Sequence, residues 1–191
     1  MCPDVRVSPG FCLLIGWFAA SNGWRPLAAV LGAAAVHELG HWAALGLLGV
    51  RVRALRVGVL GAVMIPDGRL SYGGELLAVL AGPAANLLSA LALTALGPGT
   101  EAAVGAHLVL GAFNLLPARP LDGGRALELA VSWRWGPAAG ERAARWTGAL
   151  TALLLAAALG AVLCRTGGSL WLLPPLAGFL AAAGREMFSA G

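Results

Sequence analysis

The sequence predicts an all-α polytopic membrane protein with about six transmembrane helices and one membrane-associated β-hairpin. Hydrophobic residues make up 59% of the 191 positions and charged residues only 12%, whereas soluble domains average about 45–50% and 25%. Six apolar segments approach the roughly 20 residues that cross about 30 Å of hydrocarbon. Arginine is also distributed unevenly among the segments that connect them.

The predicted spans follow one another along the chain, and the hairpin comes after the second. The N-terminal apolar segment lacks the ordered basic, apolar and cleavage regions of a secretory signal, so we expect it to be a retained first span. No internal repeat is evident and no room remains for a soluble domain after the last span, so residues 1–191 are predicted to form a single membrane-embedded domain. The spans cover about 9–24, 26–50, 76–97, 102–117, 146–164 and 169–184.

The arginines indicate the orientation of the chain. If all six segments span, eleven arginines lie on one side of the membrane, and only Arg25 and Arg165 lie on the other. The positive-inside rule then places both termini and the two long loops in the cytoplasm. We therefore expect a multi-pass protein of the bacterial cytoplasmic membrane, and the net charge of +4 reflects topology rather than nucleic-acid binding.

The segment of about 51–72 differs from the apolar spans. Arginine alternates with β-branched and small residues before a Pro66-Asp67-Gly68 turn signal, which predicts a β-hairpin. Open sheet edges are not tolerated facing lipid, so the hairpin should lie at the interface or be buried against the helices. Its edge could pair with an extended peptide. The alternative is an interfacial linker whose arginines contact lipid headgroups.

A metalloprotease pattern, His-Glu-Leu-Gly-His, lies within the second span. His37 and His41 are one helical turn apart and so share a face, while Glu38 lies about 100° around the helix. Two such imidazoles can bind Zn²⁺, and the carboxylate can take a proton from the metal-bound water. Each ionisable group costs roughly 2.5–3.5 kcal/mol near the bilayer centre. That cost favours a functional site over a polar cluster that only packs helices together.

A catalytic zinc takes three protein ligands and keeps one open position. Asp122 is the best candidate for the third ligand, because it follows a proline- and glycine-rich break after the fourth span. The predicted topology places this break on the same, cytoplasmic side of the membrane as the end of the span that carries the histidine pair. The alternative is an ordinary Asp-Gly turn. His107 lies about 22 Å from Asp122 along a continuous helix, so we expect it to be a hydrogen-bonded residue of the span. Asn86 and Asn114 could orient substrate or an oxyanion, or could hydrogen-bond helices together.

Three motifs resemble those of the site-2 proteases, which are intramembrane zinc metalloproteases. They are HELGH at 37–41, AGPAAN at 81–86, and NLLP at 114–117 continuing to PLDGG at 120–124, and they match in type, order and spacing. The resemblance covers about residues 10–186. It is closest to the sporulation-type branch (stage IV sporulation protein FB-like), which processes a membrane-associated pro-sigma factor. Members of that branch often carry a CBS domain and other branches carry PDZ domains, but this sequence contains neither.

The resemblance implies that His37, His41 and Asp122 bind zinc, that Glu38 activates water and that Asn114 contacts substrate. The substrate would be a membrane-tethered regulatory protein of pro-sigma or anti-sigma type, cut in or near its transmembrane segment and held by the hairpin. The other expected partner is the lipid bilayer, and self-association into a homo-oligomer is left open. A zinc or other metal transporter and a non-catalytic membrane scaffold are the alternatives, and either would also place polar residues on membrane helices.

Overall fold

A computed structural model describes residues 3–58, 61–165, 180–181 and 183–184. The chain divides into two compact units, Met1–Asn114 and Leu115–Gly191. That residues 1–191 form one membrane domain stays a prediction. In chain order the elements are β1 (Asp4–Val7), α1 (Pro9–Asn22), α2 (Trp24–Leu47), β2 (Arg51–Gly58), β3 (Gly61–Asp67), α3 (Tyr72–Ala95), α4 (Glu101–Asn114), α5 (Asp122–Trp135) and α6 (Pro137–Arg165).

The first five predicted spans coincide with α1, α2, α3, α4 and α6, although α6 begins at Pro137 rather than at about 146. Among the described residues, α3 and α6 are long and apolar enough to cross a membrane. Helices α1 and α4 have 14 residues each, which gives them only about 21 Å of length. The sixth predicted span, about 169–184, lies outside the described residues except at its last few positions.

Local sequence signals fix where several helices begin and end. The Ser8 hydroxyl accepts a hydrogen bond from the Phe11 N–H at 3.2 Å, and Pro9 suits the first turn of α1 because it needs no backbone donor there. Ser71 caps α3 in the same way, accepting from the Gly74 N–H at 3.2 Å. Helix α5 ends at Trp135, and the next residue, Gly136, has a φ of 89°, a conformation that favours glycine.

The predicted hairpin is present, but it turns at a different place. Strands β2 and β3 pair antiparallel from Arg51 opposite Asp67 to Gly58 opposite Gly61. Asp67 lies opposite Arg51 in this register, so Pro66-Asp67-Gly68 lies at the open end of the hairpin instead of at its turn. The predicted turn was wrong because Ser71 begins α3, which leaves too few residues after Gly68 for a second strand.

Strand β1 adds a third, unpredicted strand, and β3 forms one edge of the sheet. Residues Asp4–Val7 pair in parallel with Ala54–Val57 of β2, giving the order β1-β2-β3. On the helical side, Val52 packs with Leu45 of α2 and Ala78 of α3 in one buried cluster. The expectation that the hairpin is buried against the helices is therefore confirmed for β2.

The second unit contains α5 and α6, and α5 was not predicted. Residues 122–135 had been placed in a cytoplasmic loop, but they form a helix that packs against α6. Gly140 permits this close approach, because a Cβ there would collide with the Ser132 side chain and the Glu128 carbonyl. The error arose because a 14-residue helix that carries several charges produces no signal in a search for apolar spans.

Large apolar side chains point outward over much of the described surface. Leu47 is 90% exposed, Leu13 76% and Val109 70%, and several exposed tryptophans accompany them, as is typical of membrane interfaces. Monomeric soluble proteins rarely expose contiguous apolar surface on this scale. Together with the two long apolar helices, this surface indicates a membrane protein.

Candidate metal centre

The two histidines of HELGH face each other on one side of α2, as their spacing predicts. Their Nε2 atoms lie 3.1 Å apart, and the rings meet edge to face with centroids 4.7 Å apart. His37 is 5% exposed, whereas His41 and Glu38 are half-buried. Two imidazole nitrogens thus converge on one point at the surface of the helix.

A backbone carbonyl of α3 fixes the proton of His41. The His41 Nδ1–H donates to the Ala78 carbonyl oxygen at 2.8 Å, which leaves a lone pair on Nε2. This is the form in which histidine binds a metal, and such a second hydrogen bond is the usual support for a ligating imidazole. At zinc–nitrogen distances of about 2.0–2.1 Å, two tetrahedral ligands lie about 3.3 Å apart. The spacing of the two Nε2 atoms therefore fits zinc.

Glycines allow α2 and α3 to approach closely at this point. A Cβ on Gly40 would lie 2.6 Å from the Ala81 carbonyl oxygen and 2.8 Å from the Ala85 Cβ. A Cβ on Gly82 would collide with the His41 ring, with Nε2 as its nearest atom. Gly82 therefore provides the space in which the His41 imidazole lies.

Gly82→Ala is expected to displace the His41 ring and to weaken zinc binding by about 10–100-fold, the usual effect of disturbing the support of a ligand. Gly105→Ala on α4 is the matched control, because a Cβ there meets nothing within 4 Å. Competition between each purified variant and a zinc chelator measures the effect. Equal zinc affinity in the two variants would contradict the packing described for His41.

On the side of His37 away from His41, two further polar residues complete a hydrogen-bonded row. The Asn86 Nδ2 lies 3.2 Å from the His37 Nδ1, and the Asn86 Oδ1 lies 3.1 Å from the His107 Nδ1. Asn86 is fully buried, with 0% exposure. The interpretation of His107 as a hydrogen-bonded residue is confirmed, and the substrate-contact role of Asn86 stays a prediction.

In the second unit, Asp122 is the first residue of α5. The predicted break in the helix is confirmed, because α4 ends at Asn114 and α5 begins at Asp122. The two glycines that follow Asp122 pack on the backbone of the preceding loop. A Cβ on Gly123 would collide with the Leu115 carbonyl, and one on Gly124 would lie 2.6 Å from that of Ala118. This packing fixes the start of α5, whereas the ligand role of Asp122 stays a prediction.

Asn114 is the last residue of α4, and its side-chain amide donates to the Leu110 carbonyl oxygen at 3.1 Å. This geometry does not test the predicted contact between Asn114 and substrate. The proton transfer predicted for Glu38 also stays a prediction. Sequence reasoning missed two contributors, the Ala78 carbonyl and the space at Gly82. The AGPAAN motif at 81–86 was a signal for the second, since small residues mark close helix contacts.

Known proteins share this fold and sequence pattern. The solved structure of the site-2 protease from Methanocaldococcus jannaschii matches with a TM-score of 0.68 over 97% of this chain and 92% of that one, at 22% identity. Rip3 of Mycobacterium tuberculosis, whose name assigns it to the zinc metalloproteases, is 34% identical over an alignment of 196 positions that covers 93% of this chain. The chain has the site-2 protease fold. No family model matches it.

A second relative is the zinc metalloprotease MJ0392 of Methanocaldococcus jannaschii, which is 29% identical over an alignment of 137 positions that covers 65% of this chain. The chain spans about half the length of the curated relatives it matches, 48% of Rip3 and 40% of MJ0392. Assignment to the sporulation-type branch stays a prediction.

Proposed function

We propose that this chain is an intramembrane zinc endopeptidase that hydrolyses a peptide bond in or near the transmembrane segment of a membrane-tethered protein. The observation that carries the proposal is the convergence of two imidazole nitrogens, 3.1 Å apart, on a helix that also presents Glu38. Relatives whose names include zinc metalloprotease support it.

His37, His41 and Asp122 are the proposed zinc ligands. Each offers one donor atom of a kind that zinc takes in proteins, imidazole nitrogen or carboxylate oxygen. Three ligands would leave the fourth position open to substrate or water, which distinguishes a catalytic site from a structural one. The carbonyl of Ala78 supports this assignment by keeping the Nε2 lone pair of His41 available.

When bound, zinc polarises a peptide carbonyl and lowers the pKa of water at the open position towards 7. Glu38 accepts the proton of the attacking water and delivers it to the leaving amine, as a general base and then a general acid. Asn114 contacts the substrate and steadies its carbonyl oxygen, for which its side-chain amide has a suitable donor. Its place at the end of α4, just before the loop that leads to Asp122, supports this role.

The proposed substrate is a regulatory protein of pro-sigma or anti-sigma type. A peptide bond inside a helix is shielded by its own hydrogen bonds, so the substrate must unwind before it can be cut. Within the described part of the chain, β3 forms one edge of the sheet, and this edge is proposed to pair with the extended segment through main-chain hydrogen bonds. The exposure of Val63 on β3 supports contact with an apolar peptide or with the interface.

The proposed topology has six spans in the bacterial cytoplasmic membrane, with both termini in the cytoplasm. The unequal distribution of arginine supports it. Because α1 and α4 are short, they would need local thinning of the bilayer or cover from neighbouring protein. Oligomeric state is left open.

Removal of zinc tests the proposal directly. We expect the purified full chain to contain about one zinc per molecule and to cleave a membrane-tethered reporter in proteoliposomes. A strong chelator should reduce cleavage to background, and added zinc should restore it, because the metal supplies the activated water. Zinc content is measured by elemental analysis, and a chelator already saturated with zinc is the control. Zinc flux across the proteoliposome membrane without cleavage would favour the transporter instead.

A further inference from the structure

Four hydrogen bonds link three helices of the first unit in one continuous row. His107 on α4 contacts Asn86 on α3, Asn86 contacts His37 on α2, His37 contacts His41, and His41 contacts the Ala78 carbonyl on α3. The separations lie between 2.8 and 3.2 Å. The row is buried, since the exposed fraction is at most 6% for each of His37, His107 and Asn86. Water therefore does not readily replace a missing hydrogen-bond partner.

The proton on His41 follows from the carbonyl group that it meets. A carbonyl oxygen can only accept, so the His41 Nδ1 carries a proton and donates it to Ala78. The Asn86 side chain lies between two other ring nitrogens, the His37 Nδ1 at 3.2 Å and the His107 Nδ1 at 3.1 Å. An amide has one accepting oxygen and one donating NH₂ group, so the end that faces His37 decides which end is offered to His107.

Metal binding by His37 requires one of these two orientations. A ligating Nε2 needs its lone pair, so the proton of His37 must reside on Nδ1 and be donated from there. The Asn86 amide lies at hydrogen-bond distance from that atom, and its oxygen is the acceptor that it can offer. A half-turn of the amide about its last torsion exchanges oxygen and nitrogen without moving the backbone, so both orientations fit the same space.

We propose that His107 is a positioning residue for the metal that acts through Asn86. The inference rests on the proposed zinc site. In the zinc-loaded protein the Asn86 oxygen accepts from the His37 Nδ1–H, and the Asn86 NH₂ donates to the His107 Nδ1. His107 then carries its single proton on Nε2.

These contacts give Asn86 a role beyond holding helices together. Only an acceptor facing His37 supports its ligating form, and the His107 Nδ1 offers the acceptor that the NH₂ group of the amide needs in that orientation. The carboxylate of the Asn86→Asp variant can only accept, so it supplies the acceptor that the His37 Nδ1–H needs without help from His107. Asn86→Leu has a similar volume and supports neither direction.

Zinc affinities of the two Asn86 variants separate this role from packing. Asn86→Leu is expected to bind zinc about 10–100-fold more weakly than wild type, whereas Asn86→Asp binds it at least as tightly, as carboxylate–histidine–zinc arrangements do. A role in packing alone predicts the opposite order, since a buried charge destabilises more than an apolar group. Affinity is measured by chelator competition on the detergent-solubilised full chain, with size-exclusion chromatography as the folding check.

A double-mutant cycle with His107→Phe tests the second half of the proposal. The change keeps an aromatic ring but removes the acceptor, and we expect about tenfold weaker zinc binding in the wild-type background. In the Asn86→Asp background the same change is expected to alter affinity by less than about twofold, because the acceptor for His37 is already fixed. The coupling between the two positions is the readout that a merely structural role would not produce.

The outcomes distinguish this proposal from the proposed function. If wild type binds zinc and Asn86→Leu binds it equally well, the positioning role of Asn86 and His107 is wrong and the zinc site stands. An equal loss from His107→Phe in both backgrounds also overturns the role of His107. If wild type itself binds no zinc, the proposed function and the inference both fall.

Discussion

Glu38→Gln is expected to leave the protein folded and loaded with zinc but to reduce cleavage of a membrane-tethered substrate by about 10²–10⁴-fold, the usual contribution of general acid–base catalysis. Glutamine has nearly the same shape as glutamate but cannot accept a proton at neutral pH. Zinc content should not change, because the proposed ligands are His37, His41 and Asp122. The loss should therefore appear in kcat and not in metal binding.

The matched control is Glu141→Gln, the same chemical change at an exposed position of α6. Cleavage of a co-expressed reporter and zinc content are measured for both variants, with expression in the membrane fraction as the folding check. Full activity in Glu38→Gln would remove the general base from the mechanism. Loss of zinc from that variant would instead show that the carboxylate supports the metal.

Local periodicity was sufficient to predict half of the site. Because an α-helix has 3.6 residues per turn, residues four apart share a face, and the structure confirms this with His37 and His41 in contact. The energetic cost of ionisable groups in an apolar span then favoured function over chance. The same reasoning placed the hairpin, since alternation of side chains is also a local property.

The errors arose where the structure depends on context. Pro66-Asp67-Gly68 is a strong turn signal, yet it lies at the open end of the hairpin, because the register pairs Arg51 with Asp67. Helix α5 was missed because hydropathy finds segments that cross a bilayer, and this one is short and charged. Strand β1 pairs with residues 50 positions further on, which no local pattern predicts.

The support of the metal centre also depends on distant pairing. Asn86 lies 49 residues from His37 and 21 from His107, so each was visible only as a polar residue in an apolar helix. Buried polar groups need partners, and three of them on three helices of one bundle could have been expected to meet. Which nitrogen meets which oxygen could not be predicted, because it depends on how closely the helices approach at Gly40 and Gly82.

Asp122→Asn is expected to reduce zinc affinity by at least about 100-fold, more than the loss of a supporting hydrogen bond would, because it removes a charged ligand. The substitution also decides between the two interpretations of this residue. Asparagine forms turns as readily as aspartate does, so a residue needed only for the Asp-Gly turn would tolerate the change. A ligand would not, since a neutral amide oxygen is a far weaker donor to zinc than a carboxylate.

The charge of Asp122 at the start of α5 has a second effect that must be separated from metal binding. A carboxylate in the first turn stabilises a helix by about 0.3–1 kcal/mol through the helix dipole, so Asp122→Asn should also lower thermal stability slightly in the zinc-free protein. Asp67→Asn, at the exposed end of β3, is the control for removing one negative charge. Zinc binding as tight as in that control would leave Asp122 as a turn residue and require a different third ligand.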